Sequence, residues 1–509
     1  MSPHATRLLL VVTSLSSAEE ETRQLVRGVL DEHQLRLVEI ATAFRLQEVS
    51  PASSHRFESE LADATRELAR QLVEQIYNHL EPEQPEQMPH DVHFEAGDYR
   101  RRNDKTRNAH VATLFGTIEL RRYAYRYWHG REKCIFPLEM QLGLVQGATP
   151  ALAEAAARYM AEAGATQQAV LSRLRQQHGV SWGAERLRAT AKEVAQSLAQ
   201  VREEAQVERL LELLQKADES RGNRLPVLSV GRDGISLREY RYRFYENATA
   251  ATVTVYDRQG NRLGTVYLAF APQLGQHTMT DQLTSLITRL LECWQGTLPR
   301  LCYVTDAGDS ETKYYRQVLR SMLHSRTGKP LTWYRIVDYY HASERIWTMA
   351  EALFGRRKDG ELTRQGYAWA RRMSKLLKKP NGPYRVLHSA AALFASRKKL
   401  SKSRAAIYRK AYNYIRRRSR FMQYAQYKDL HLPLGSGVTE AACKTIFTQR
   451  LKLSGMRWTK AGAQTILDLR VILLSGVWRQ AHARRLANSP SATLRAYEPS
   501  GQRELKNAA

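Results

Sequence analysis

Cysteine is scarce in this chain: four in 509 residues, at 134, 293, 302 and 443, with no CxxC pair among them. That rules out a disulfide framework, and reduced, buried thiols are the expectation. Long apolar runs are missing as well. The aliphatic run near the start covers residues 8–12 only, short of the ~20 residues of a membrane span and short even for a signal-peptide core. A cytoplasmic protein with no membrane partner is expected. No short-period repeat is present. Acids are few relative to bases, 51 Asp and Glu against 78 Lys and Arg, for a net charge of +27. Such a field favours a polyanionic partner, nucleic acid first, which would make the protein nucleoid-associated.

What is present suffices for real cores: 43% of residues are hydrophobic, and the length suggests about three domains. The positive charge is concentrated. Residues 356–420 hold 21 Lys and Arg against two acids, Asp359 and Glu361. Tyr367, Trp369, Leu376, Leu387, Phe394, Tyr408 and Ile415 recur through that segment, so it reads as a folded helical module with basic faces. Its role is phosphate contact or, more plainly, a solvated surface.

Residues 1–95 read as an N-terminal helical region with two amphipathic helices, 18–44 and 58–80, closed by Pro82, Pro85 and Pro89. Residues 96–148 read as a small basic unit with short strands between 113 and 127, turning at Gly116. The segment 149–222 is helical, with helices 168–178 and 183–198 either side of Gly179. This resembles a DNA-binding helix-turn-helix, although many helical hairpins share the pattern.

The chemistry concentrates after residue 223. An apolar run, 225–230, ends at Gly231-Arg232-Asp233-Gly234, as a central strand delivering Asp233 at its terminus would. Alternating segments 252–256 and 265–270 flank Asp257-Arg258-Gln259-Gly260-Asn261-Arg262 and form a hairpin. Leu283, Leu286, Ile287, Leu290, Leu291 and Trp294 make an amphipathic helix. A buried strand over 300–305 ends at Asp306, helical spacing over 314–323 follows, and a strand over 333–337 ends at Asp338. The order strand, strand, strand, helix, strand, helix, strand, helix fits an α/β, ribonuclease H-like core. Two aspartates brought together at strand ends repel, and sharing Mg²⁺ or Mn²⁺ is their cheapest use. A single Asp after a strand is more often a turn or helix cap. A third carboxylate is Glu440, in Gly435-Ser436-Gly437-Val438-Thr439-Glu440-Ala441-Ala442-Cys443-Lys444, where an i,i+4 surface pair with Lys444 is the plainer alternative.

Together these residues resemble bacterial insertion-sequence transposases of the DDE class, in the Mutator-like group. The resemblance rests on Gly231-Arg232-Asp233-Gly234, Val304-Thr305-Asp306-Ala307-Gly308, Asp338-Tyr339-Tyr340-His341, Gly435 to Glu440, and Arg450-Leu451-Lys452-Leu453-Ser454-Gly455-Met456-Arg457-Trp458. It covers residues 225–478, and 113–144 more loosely. It implies a ribonuclease H-like catalytic core in two parts, 223–354 and 431–480, split by the basic helical insertion 355–430 and followed by a tail, 481–509. It further implies that Asp233, Asp306 and Glu440 are catalytic and hold the metals, and the insertion accounts for the 134 residues between Asp306 and Glu440. Asp338 and His341 match a Cys-or-Asp, two residues, His motif. His341 either positions the scissile phosphate or hydrogen-bonds in the core. Between 123 and 134 there is one cysteine, so a zinc site there is not expected. Arg450, Lys452, Arg457, Trp458, Arg416, Arg417 and Arg418 are candidate DNA contacts, with Trp458 either stacking on a base or packing a C-terminal helix.

The expected function is a DNA transposase that cleaves and joins strands by two-metal phosphoryl transfer on double-stranded DNA, at element ends and target. Pairing two ends calls for a homodimer or higher oligomer. The alternatives are a structure-selective nuclease on the same fold and a non-catalytic DNA-binding descendant of such an enzyme.

Overall fold

The computed structural model describes residues 15–94, 97–102, 105–128, 134–238, 245–396, 400–488 and 495–496. The apolar run 8–12 and the basic residues 397–399 lie outside them. The chain divides into two compact units: 1–160 with 165–194 and 483–509, and 161–164 with 195–482.

The first unit begins with two long helices, α1 (Leu15–Leu46) and α2 (Pro51–His79). Phe44 stacks on Phe57 with ring centroids 4.5 Å apart. Ser50 caps α2 and exchanges hydrogen bonds with Ser53, so the second helix starts at Pro51, earlier than apolar periodicity alone indicates. Short strands follow: β1 (Asp91–Phe94), β2 (Gly97–Arg101), β3 (Arg107–Thr113), β4 (Gly116–Arg122), β5 (Tyr125–Tyr127) and β6 (Cys134–Ile135). β3 and β4 form a hairpin turned at Gly116, whose φ of 135° lies in the region glycine favours. Strand structure thus starts well before residue 113. The other strands form a sheet ordered β12-β1-β2-β5-β6, completed by β12 (Arg495–Ala496) from the C-terminal tail. Next come α3 (Pro137–Gln141), α4 (Pro150–Ala161), α5 (Gln167–His178) and α6 (Ala184–Asp218), which from residue 195 belongs to the second unit. Thr166 caps α5 and Gly179 ends it in the left-handed conformation, but α6 runs 35 residues, far beyond the expected 198.

The second unit is mixed α/β. Its strands are β7 (Val227–Arg238), β8 (Tyr245–Tyr256), β9 (Arg262–Phe270), β10 (Arg300–Thr305) and β11 (Trp333–Val337), in the order β11-β10-β7-β8-β9. β7, β8 and β9 pair antiparallel, while β10 pairs parallel with both β7 and β11. The helices are α7 (His277–Cys293), α8 (Asp309–Gln317), α9 (Tyr339–Phe354), α10 (Arg364–Leu377), α11 (Gly382–Ser396), α12 (Lys402–Arg418), α13 (Tyr424–Asp429), α14 (Gly437–Cys443), α15 (Gln449–Leu451), α16 (Lys460–Leu474) and α17 (Trp478–Asn488).

Period-two alternation sends β10 side chains to opposite faces. Leu301 and Tyr303 enter a core with Leu210, Leu213 and Leu214 of α6 and Leu283, Ile287 and Leu290 of α7. Cys302 and Val304 enter a second core with Ile346 and Met349 of α9, Trp369 and Met373 of α10, Val386 of α11 and Tyr408 of α12. The sheet is covered on both faces, which explains why residues 301–304 of β10 read as an unbroken apolar run, while β11 is apolar except for Arg335. The basic helices α10, α11 and α12 share a core with the sheet rather than standing apart from it. Two local expectations change. Helical spacing over 314–323 breaks after Gln317 into a tight turn, Leu319–Ser321. Cys134 and Cys293 are exposed, and only Cys302 and Cys443 are buried. No helix among the described residues is long and apolar enough to cross a membrane.

Candidate active site

Asp233 lies inside β7 rather than at its end. The strand continues to Arg238 because β8 pairs with it throughout, whereas the parallel neighbour β10 stops pairing at Gly231. The carboxylate therefore projects from the sheet two residues past the end of the parallel ladder, on the face shared with Gly231. Asp306 follows β10 directly. Its Oδ1 accepts the Gly308 amide at 2.9 Å, and Ala307 has φ of 62°, unusual for a residue other than glycine.

Glu440 is carried toward Asp233 because α14 lies against β7. A Cβ at position 231 would meet Thr439 Oγ1 at 1.9 Å and Thr252 Oγ1 at 2.8 Å, so only glycine permits this approach. Thr439 and Thr252 hydroxyls are 2.8 Å apart. One helical turn further, the Cys443 thiol stands beside Asp233. Four helical residues rise ~6 Å and two strand residues ~6.6 Å, so Thr439 over Gly231 and Cys443 over Asp233 keep step. The buried face of α14 is thus Thr439, Ala442 and Cys443, continued by Ile446, while Ala441 is exposed. Beyond Cys443 the helix passes into a π-turn, Lys444–Thr448. There Arg470 of α16 binds the Thr445 carbonyl through Nε at 2.8 Å, which fits the tendency of π-turns to occur at functional positions.

Burial pushes the Asp233 carboxyl above the usual carboxylate range, and the charges of Asp306 and Glu440 push it the same way. A fourth carboxylate joins them. Glu311, in the first turn of α8, is 9% exposed, and burial followed by the charges of Asp306 and Asp233 raises its pKa. Glu311 Oε2 and Asp306 Oδ1 flank the point where a Cβ of Gly308 would stand, at 2.4 and 3.5 Å from it.

Asp338 is fully buried. Its Oδ1 caps α9, accepting the amides of Tyr340 at 2.5 Å and His341 at 3.1 Å. Its Oδ2 accepts the Ser436 amide and, at 2.6 Å, the Ser436 hydroxyl. Ser436 Oγ also stands 2.8 Å from Glu440 Oε1. His341 faces Glu440 with Nε2 at 3.5 Å and Glu344 with Nδ1 at 3.1 Å. Burial alone would lower the pKa of His341, but Glu344, Asp338 and Glu440 together hold it above the ordinary value. Glu440 thus pairs with His341, and among the described residues it makes no ion pair with Lys444. The spacing of the Asp338 motif has a physical reason: one carboxylate starts α9, anchors the loop before α14, and places His341 beside Glu440.

The candidate DNA contacts separate. Lys452 and Arg457 are exposed. Arg450 is not a surface residue: it is 1% exposed, its guanidinium lies 5.3 Å from the Trp458 ring centroid, and burial lowers its pKa to about 10. Trp458 is half-buried and donates Nε1–H to the Leu451 carbonyl at 2.9 Å. Arg416 and Arg417 are exposed at the end of α12, while Arg418 Nη2 donates to the Ala307 carbonyl at 2.9 Å.

No protein-family model matches the chain, and no curated protein does either. Geometry and chemistry alone therefore bear on its function. Among the described residues, no three His, Cys, Asp or Glu side chains close on a common point as a finished metal shell. The donor set itself, carboxylate oxygens that destabilise each other's charge, suits a hard divalent cation such as Mg²⁺ or Mn²⁺.

Proposed function

We propose that the chain is a DNA transposase of the DDE type, a metal-dependent polynucleotidyl transferase on a ribonuclease H-like core. The observation that carries this reading is that Asp306, after β10, and Glu440, from α14, stand near enough to Asp233 of the adjacent central strand β7 for their charges to act on it, in a sheet ordered β11-β10-β7-β8-β9. The strand order and the two parallel pairs support the ribonuclease H-like assignment. Asp233, Asp306 and Glu440 would hold Mg²⁺ or Mn²⁺, with Glu311 placed beside them. When bound, the cation supplies charge neutralisation at phosphorus and activation of water.

The chain's own residues do the rest. Ser436 and Asp338 fix the start of α14 and so the position of Glu440. His341, whose pKa the neighbouring acids raise, stands beside the carboxylates, where charge develops on a phosphate oxygen. Both cleavage and joining are in-line displacements at phosphorus, and neither requires a covalent protein–DNA intermediate. In this reading the basic helices and the helical first unit hold double-stranded DNA, and a dimer or larger assembly pairs two ends.

The test is an assay for Mg²⁺-dependent cleavage and strand joining on DNA carrying the sequences that flank the gene, comparing wild type with Asp306→Ala. Cleaved and joined products lost in the variant are expected. Cleavage without joining would favour a nuclease, products persisting in Asp306→Ala would move the active site elsewhere, and DNA binding with no products from either protein would favour a non-catalytic DNA-binding role.

A further inference from the structure

A cleft of about 350 Å³ lies where α9 meets α12, lined by Arg345, Lys410, Asn413, Tyr414, Arg417 and Arg418. Four of those six residues are cationic and none is acidic. The cleft adjoins the catalytic loop directly. Tyr414 donates its hydroxyl to the Asp306 carbonyl at 2.6 Å, and Arg418 donates to the Ala307 carbonyl at 2.9 Å. The guanidinium carbons of Arg345 and Arg418 lie 5.1 and 4.3 Å from the centroid of the Tyr414 ring. Arg345 Nε is buried without a hydrogen-bond partner. Arg345 also stands one helical turn after His341 on α9, so the row that faces Glu440 continues into the cleft.

We propose that this cleft is a binding site for a backbone phosphate of the DNA strand, next to the phosphate that reacts. The proposal rests on the polynucleotidyl-transferase reading and gives it a specific contact. Arginine forks suit a phosphate, Lys410 adds a mobile point charge, and the Asn413 amide can donate to a phosphate oxygen. The site is coupled to catalysis through the backbone. Of the two residues that line the cleft and grip the 306–307 carbonyls, Tyr414 sits on α12 about one turn from both Lys410 and Arg417, and Arg418 directly follows Arg417. A phosphate drawn into the cleft is therefore registered against Asp306 by a single helix.

The test measures binding alone. Fluorescence anisotropy of a labelled 30-base-pair DNA is followed in EDTA as salt is raised, for the full-length wild type, Lys410→Ala/Arg417→Ala, and a control pair on the exposed face of α10, Arg371→Ala/Arg372→Ala. Loss of two phosphate contacts should make the slope of log affinity against log salt shallower by ~1.8 and weaken binding about tenfold at moderate salt, with a smaller loss in the control. Equal losses in both pairs would reduce the cleft to part of a diffuse basic surface, and an unchanged slope would overturn the proposal. No metal or turnover enters the measurement, so the cleft is tested even in a protein that never cleaves DNA. The Asp306→Ala cleavage assay separately decides the catalytic reading.

Discussion

At the scale of single residues, buried acids divide by what meets them. Asp338 has donors on both oxygens, two helix amides on one and the Ser436 amide and hydroxyl on the other, so its charge is held by hydrogen bonds rather than by a cation. Ser436 has one hydroxyl hydrogen and two carboxylates in reach, Asp338 at 2.6 Å and Glu440 at 2.8 Å. Donation to one leaves the other short of a donor, and His341 Nε2 stands 3.5 Å from Glu440 Oε1. Glu81, in the first unit, is the opposite case. It is 5% exposed and accepts the Tyr123 amide, yet burial outweighs that bond and the charge of Arg122 and pushes its carboxyl up to about 7. Its unfolded value lies near 4.3. A raised carboxyl pKa means the neutral form is the one the fold prefers, so this contribution is full below about pH 4.3 and is lost as pH climbs through 7. Glu81→Gln keeps an acceptor for Tyr123 and removes the titration. The variant should gain stability over wild type between pH 5 and pH 8, by up to about 3 kcal/mol at ~1.4 kcal/mol per unit. Thermal melts at the two pH values read this, and equal shifts at both would refute it.

At the scale of elements, the fit of α14 on β7 decides whether the third carboxylate arrives. Gly231→Ala drives a methyl into Thr439 Oγ1, and overpacking of this kind costs about 1–3 kcal/mol. If the proposed function holds, the larger effect is on the rate, since displacing α14 by ~1 Å displaces Glu440, and errors of that size can cost ~100-fold. Thr439→Ala removes the obstructing oxygen together with its bond to Thr252. The double variant should therefore melt above the sum of the two single losses by at least ~0.5 kcal/mol, and strict additivity would show that the contact is not the cause. These elements also show what the sequence could reveal. β10 and β11 are legible to the residue because both faces are buried and both end at an aspartate, a local signal. β7 runs past its expected end, because the antiparallel partner that extends it is specified elsewhere in the chain. Asp233 and Asp306 stand out as acids after apolar runs, while Glu440 needs the resemblance to separate it from a surface pair. Glu311 and Ser436 look like an ordinary first-turn acid and an ordinary pre-helix serine. Their roles come from contacts with residues distant in sequence, as do those of Tyr414 and Arg418 on the 306–307 loop, and no local pattern encodes them.

At the scale of the whole molecule, a chain of net charge +27 carries a small group of acids whose charges repel. The two features act on different ranges. In the proposed reading the basic field, which reaches about a Debye length, ~8 Å at physiological salt, would draw DNA from solution with little regard for sequence. The acidic group acts only at contact, where an uncompensated carboxylate meets a phosphate and opposes it. Binding without metal should therefore be governed by the cations and hindered by the acids. If six to ten phosphates are neutralised, affinity for duplex DNA should fall ~10³ to 10⁵-fold between 50 and 200 mM salt. Asp306→Ala, measured in EDTA, should bind at least as tightly as wild type, with the same salt slope, because it removes a charge that repels phosphate and none that attracts it. Adding Mg²⁺ should narrow the difference, since a cation held by wild type cancels the same repulsion that the substitution deletes. A weaker-binding Asp306→Ala protein that melts like wild type would mean that the carboxylate does not face DNA. A flat salt response would mean that the basic helices are only a solvated surface.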